Sequence, residues 1–170
     1  MPIPYHHVNV LTGFKAARQI EHISEYAEVI KRARRPLFVL GRLTATVILP
    51  NGKYLMEYAV GIAKAGNLPV CATAHTKKKL LELGLTPECT YDIIEIINRL
   101  KDKDWHGVKK EGYHDLVMFL GLRTDLANAG LSTLKHFALH LKTMTLGRYY
   151  YPPSDNSLRN LKDDNEWIEV

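Results

Sequence analysis

The chain has 170 residues, 46% of them hydrophobic and 24% charged, and its 23 Lys and Arg against 18 Asp and Glu give a formal charge of +5. That length buries a full core without cross-links, and so mild a positive excess does not by itself imply nucleic acid. The two cysteines, Cys71 and Cys89, exclude a disulfide scaffold, a Cys-only zinc site and an iron–sulfur cluster held by this chain alone.

In chain order the first clear element is a helix. Tyr26, Val29, Ile30 and Ala33 fall at i, i+3, i+4 and i+7. Ser24 suits its N-cap and Pro36 stops it. RPLFVLG, ending at Gly41, is apolar on both faces, as buried parallel strands are. A second helix is predicted from about Lys53 to Ala65, with Gly66-Asn67 as its stop. Leu68 to Ala74 is a second short strand, and a small helix through Leu80 and Leu81 ends at Gly84. Thr90 is placed to cap another helix, carried by Ile93, Ile96, Ile97 and Leu100. Residues 101–110 are polar and read as a loop. Asp115 to Gly121, DLVMFLG, is the plainest strand in the chain. Leu131, Leu134, Ala138 and Leu141 mark the helix after it, and Lys142 to Leu146 a last strand. The remaining tail reads as an extended cover with one short helix.

Strands separated by helices imply parallel pairing through right-handed crossovers. The expected fold is therefore α/β, a three-layer α/β/α Rossmann-like parallel sheet. One domain over residues 1–170 is expected, with the N-terminal segment 1–20 and the C-terminal tail 149–170 as extensions. The N-terminus lacks the charged start and apolar stretch of a signal peptide. No run approaches the roughly 20 apolar residues of a membrane span. With few cysteines, the expected compartment is the cytoplasm, with no membrane partner.

Ligands of such sheets sit at the carboxyl ends of the strands. Two strands end alike, one in Gly41-Arg42-Leu43-Thr44 and the other in Gly121-Leu122-Arg123-Thr124. Glycine permits a sharp turn, and arginine offers a planar fork for phosphate or carboxylate. Thr73, His75 and Thr76 follow a neighbouring strand. Two readings stand side by side. Either these residues line an anion or nucleotide crevice, or the glycines serve turns and the arginines are solvated. A GxGxxG fingerprint is absent, so a standard NAD site is not supported.

Other features carry less chemistry. His136 and His140 share a helix face at i, i+4 without an HExxH glutamate or a third ligand. His6-His7 lie near the start. Cys71 reads as a small core residue, and Cys89 precedes a helix start. No GxSxG or P-loop is present, which argues against a free-standing hydrolase or transferase. The clusters Lys31-Arg32, Arg34-Arg35 and Lys77-Lys78-Lys79 read as solvated faces, and no basic stripe interleaved with aromatics suggests a nucleic-acid partner. Tyr149-Tyr150-Tyr151 either clamps the tail onto the domain or faces a partner.

The runs ARRPLFVLG with Thr44, AKAGNLPVCATAHT, DLVMFLGLRTDLANAGLSTLKHF and TLGRYYYPPSDNSLRNL resemble the epsilon subunit of the archaeal acetyl-CoA decarbonylase/synthase complex. The resemblance extends from about Ala16 onward and rests on the order of these runs. More distantly, RRPLFVLG and DLVMFLGLRTD look like the central domain of thiamine-diphosphate enzymes. The resemblance implies a fold grouped with deoxyhypusine synthase and with NAD/FAD-binding domains. It also implies a non-catalytic accessory subunit with a structural, stabilising role. Its partner would be the nickel–iron–sulfur alpha subunit, a carbon monoxide dehydrogenase that oxidises CO to CO2, in an alpha2–epsilon2 assembly. Self-association is expected, with ferredoxin as an indirect electron partner. The alternative implied is a flavin-binding electron-transfer module in the same complex, with FAD as the candidate cofactor. The residues onto which that carries are Gly41, Arg42, Leu43, Thr73, His75, Gly121, Arg123 and Thr124.

Overall fold

A computed structural model describes residues 16–73 and 75–170. His6, His7, Ala74 and most of segment 1–20 therefore lie outside the described residues. Seven strands form one sheet in the order β1-β7-β6-β5-β2-β3-β4, and every pairing is parallel. The strands are β1 (Arg18–Ile20), β2 (Pro36–Leu40), β3 (Val70–Ala72), β4 (Cys89–Thr90), β5 (Leu116–Leu120), β6 (Lys142–Thr145) and β7 (Asn156–Leu158). The helices are α1 (Ile23–Arg32), α2 (Leu43–Thr46), α3 (Leu55–Ala65), α4 (Thr76–Glu82), α5 (Ile93–Lys101), α6 (Thr124–Phe137) and α7 (Asp164–Glu169). From β2 to β7 the strands run in the doubly wound order, which reverses direction between β2 and β5.

The two central strands show why the sheet has three layers. Phe38 and Leu40 of β2, with Leu116, Met118 and Leu120 of β5, pack beneath α1 and α3. Leu37, Val39, Val117 and Phe119 point the other way, onto α5 and α6. Each side chain alternates faces, so a strand buried on both sides must be apolar throughout. Pro36 sits at the first position of β2, where a missing N–H is best tolerated.

The sequence-predicted helices and long strands are present, except that α6 ends at Phe137, so Ala138, His140 and Leu141 lie beyond it and His136 and His140 do not share a helix face. Three strands are additional: β1, β4 and β7 have 3, 2 and 3 residues. The tail supplies β7, which lies between β1 and β6, and the short helix α7. Helix starts also differ in detail. The N-cap of α1 is His22, not Ser24. That of α5 is Asp92, not Thr90, and its carboxylate accepts from the Ile93 N–H at 2.8 Å. A two-residue strand occupies Cys89 and Thr90 instead.

The opposite end of the sheet, at the strand starts, is held by polar contacts. Asp115 accepts from the backbone N–H groups of Arg34 and Arg35 at 2.7 and 2.8 Å. The Arg35 guanidinium donates to the carbonyls of Tyr113 and Glu111 and lies 5.0 Å from the Tyr113 ring centre. His114 is buried here. Its Nε2 accepts from the Val108 N–H at 3.2 Å, and its Nδ1 lies 2.9 Å from the Arg35 carbonyl. That pattern assigns the neutral ring with the proton on Nδ1. A second proton would face the Val108 N–H, and burial already holds the imidazole below its usual range.

The pH consequence has a definite sign. Above roughly pH 6.5, the ordinary histidine value, His114 is neutral folded and unfolded and costs nothing. Below it the unfolded chain takes up the proton first, so stability falls as pH falls. Urea midpoints at about pH 7.5 and about pH 5.5 are expected to show this loss, and His114→Gln should reduce it. An unchanged difference in the variant would remove His114 as the cause.

Candidate functional site

The switch in strand order brings the ends of β2 and β5 together, and with them both predicted glycine turns. The Gly41 N–H donates to the Leu120 carbonyl at 2.8 Å. Gly121 then turns with φ of 72°, and its carbonyl accepts from the Leu43 N–H at 2.9 Å. The backbones touch so closely that a Cβ on Gly41 would lie 2.3 Å from the Gly121 oxygen. A Cβ on Gly121 would lie 2.4 Å from Cγ2 of Thr44.

The hydroxyls nearby are engaged with backbone. Thr44 donates to the Gly41 carbonyl, Thr73 to that of Leu40 and Thr76 to that of Thr73, each at 2.7 Å. All three threonines are buried. Gly41 and Thr73 are buried at the strand ends, and Leu43 and Gly121 are partly buried beside them. Arg42, His75, Arg123 and Thr124 are exposed. Arg123 forms a bidentate pair with Asp125, at 3.1 and 2.6 Å.

Beside Gly121 lies a cavity of about 240 Å³. Leu43, Gly121 and Thr124 belong to its wall, together with Arg148, Tyr149, Tyr151 and Trp167. Arg148 is tied at both guanidinium ends. One nitrogen meets Asp164 at 2.7 Å and the other donates toward the Tyr149 hydroxyl at 2.7 Å. Its Nε is buried and has no hydrogen-bond partner among the described residues, and its guanidinium carbon lies 4.8 Å from the Tyr149 ring centre. Tyr150 and Tyr151 are buried. The Tyr150 hydroxyl donates to the Ala17 carbonyl at 2.7 Å, and burial pushes the Tyr151 hydroxyl up from its usual range. Two of the three tyrosines thus clamp the tail, and Tyr149 is left half exposed.

Arg148 is the wall residue that sequence reasoning missed, although a signal was present. Leu40-Gly41-Arg42, Leu120-Gly121-Leu122-Arg123 and Leu146-Gly147-Arg148 end three neighbouring strands in nearly the same way. The third copy was hidden by the tyrosines after it. Among the remaining candidates, His140 packs edge-on against Tyr113, with ring centres 5.2 Å apart. Lys31 and Arg32 pair with Glu28, and Lys79 with Glu82.

The chain matches along residues 1–170 the family described as CO dehydrogenase beta subunit/acetyl-CoA synthase epsilon subunit. It is 44% identical to the acetyl-CoA decarbonylase/synthase complex subunit epsilon of Methanothermobacter thermautotrophicus, over 82% of this chain and 76% of that protein. It is 37% identical to subunit epsilon 1 of Archaeoglobus fulgidus, over 82% and 73%. It is 34% identical to subunit epsilon of Methanothrix soehngenii, over 78% and 68%. A parallel doubly wound sheet, a closed glycine crossing at its switch point and these matches along its length agree: the chain belongs to the CO dehydrogenase beta subunit/acetyl-CoA synthase epsilon subunit family.

Proposed function

We propose that the chain is an accessory, non-catalytic subunit of an acetyl-CoA decarbonylase/synthase complex. It binds the nickel–iron–sulfur alpha subunit that oxidises CO to CO2, in the cytoplasm, and stabilises that subunit in an alpha2–epsilon2 assembly. Ferredoxin is then a partner of the assembly and not of this chain. The observation that carries the reading is the family match across residues 1–170. Exposed apolar side chains support it: Phe137 and Leu139 are 69% and 86% exposed just before β6, and such side chains suit burial against a partner or a second copy. The test is the half-life of CO oxidation by the isolated alpha subunit during anaerobic heating, with and without this chain. A longer half-life with the chain is expected; an unchanged one contradicts the stabilising role.

The cavity beside Gly121 favours a second reading, a flavin-binding electron-transfer module. The orphaned Nε of Arg148 and the walls of Tyr149, Tyr151 and Trp167 fit a planar, anionic group. Its volume of about 240 Å³ falls below the ~300–1,000 Å³ of typical small-molecule sites. FAD would therefore extend over the rim of Arg42, His75, Arg123 and Thr124 or onto the alpha subunit. Gly41, Leu43, Thr73 and Gly121 would shape the strand ends beside it. A bound flavin would supply one- and two-electron transfer.

This reading is tested with FAD added to the chain together with the alpha subunit. Binding is followed by flavin fluorescence, and Arg42→Ala, Arg123→Ala and Arg148→Ala are compared with the unaltered chain. Each loss of a charge-assisted hydrogen bond is expected to weaken binding by roughly 1.5–3 kcal/mol. FAD that leaves fluorescence and melting temperature unchanged would remove the flavin reading and leave the stabilising one intact.

A further inference from the structure

The two thiols that sequence reasoning treated separately are neighbours in the fold. The register of β3 on β4 sets Cys71 directly opposite Cys89, and both thiols are free. Opposed residues of a parallel pair point to the same face of the sheet, and both cysteines pack on the α5/α6 face. They touch: a hydrogen bond between the thiols raises that of Cys71 and lowers that of Cys89. Cys71 is fully buried, while Cys89 is partly exposed.

Opposed positions on neighbouring strands lie about 4.8 Å apart, inside the ~4.4–6.8 Å between Cα atoms that a disulfide spans. Bringing the Cβ atoms to about 3.8 Å needs a small further approach. The strand β4 can give it. It is two residues long and lies at the edge of the sheet, with β3 as its one neighbour among the described residues. We propose that Cys71 and Cys89 are a redox-sensitive pair, which a low-molecular-weight disulfide converts to a Cys71–Cys89 disulfide that pins the outer strand to the sheet.

Exposure divides the roles. Cys89 meets the oxidant, and the Arg99 guanidinium favours its thiolate. That thiolate attacks one sulfur of the oxidant, forming a mixed disulfide and expelling one thiolate, which takes up the proton Cys89 gave up. The buried Cys71 then attacks the Cys89 sulfur, and its proton passes to the second thiolate expelled. One S–S bond breaks in the oxidant and one forms in the protein. The protein gives up two electrons and two protons, and the oxidant leaves as two thiols. A reducing compartment reverses the exchange, so the pair rests there as the dithiol. The new bond closes a loop over residues 72–88, which holds α4.

The test uses the full chain, treated anaerobically with excess oxidised glutathione, quenched in acid, alkylated, weighed intact and then mapped by peptides. The expected product is lighter than the reduced chain by two hydrogen atoms, carries no alkylated cysteine and yields one linked Cys71–Cys89 peptide pair. Its melting temperature should rise by roughly 5–10 °C, as closing a loop of this length does. Dithiothreitol should restore the reduced mass and the lower melting temperature. Cys71→Ala is expected to stop at a mixed disulfide of Cys89 with glutathione, and Cys89→Ser to keep Cys71 free. An unaltered chain with both thiols still free, or with glutathione on Cys89 and no link to Cys71, would overturn the pair and leave two packed thiols. A linked chain that melts no higher than the reduced one would overturn the pinning of β4.

Discussion

A chain ended at Arg148, without residues 149–170, is expected not to fold. The missing piece is structural because β7 pairs with β1 on one side and β6 on the other. Its removal strips hydrogen bonds from both and leaves β1 without a neighbour. Tyr150, Tyr151, Leu158 and Leu161 are all buried, and burying each large side chain contributes about 1.5–3 kcal/mol. Together that approaches the ~5–15 kcal/mol that holds an ordinary domain folded.

Polar links are lost as well. Ser157 accepts from the Thr145 hydroxyl at 3.0 Å and from the Tyr151 N–H at 2.9 Å. The Trp167 indole donates to the Leu146 carbonyl at 3.0 Å. Thermal melts followed by circular dichroism check the expectation. A shortened chain with the melting temperature of the full one would mean that the tail only covers the sheet.

Gly41→Ala is the second change with a large expected effect, a loss of about 3 kcal/mol or more, in the range of severe overpacking. The obstacle is backbone, not a movable side chain. The added methyl would meet the Gly121 oxygen at 2.3 Å and its carbon at 2.6 Å. That oxygen is fixed by the Leu43 N–H, so relief requires breaking the turn into α2. Gly52→Ala is the control. Gly52 has φ of 79° but, among the described residues, nothing within 4 Å of the added atom, so only the conformational cost applies, about 1 kcal/mol. Urea denaturation of both variants measures the difference. Equal losses would contradict the close crossing at the switch point.

The central strands were legible because burial on both faces demands unbroken apolar runs, and PLFVL and LVMFL are such runs. Helices α1, α3, α5 and α6 were legible from the spacing of their buried residues. The strands RQI, CT and NSL were not, because strands this short have no period of their own. Their partners define them. The same holds for the cysteines, whose opposition depends on the pairing of β3 with β4.

At the candidate site, the meeting of Gly41 and Gly121 was legible from the matched strand ends. The use of each glycine was not, because the atoms that crowd it come from about 80 residues away in sequence. Arg42 and Arg123 are legible as matched strand-end arginines, whereas Arg148, whose Nε is buried without a partner among the described residues, is followed by three tyrosines that obscure the match.

The central claim is association with the CO-oxidising subunit. Sedimentation velocity under anaerobic conditions, with this chain and the alpha subunit mixed at micromolar concentration, tests it most directly. The account predicts one faster species containing both chains in equal number. Two species sedimenting at the rates of the separate proteins, whatever the mixing ratio, would contradict it.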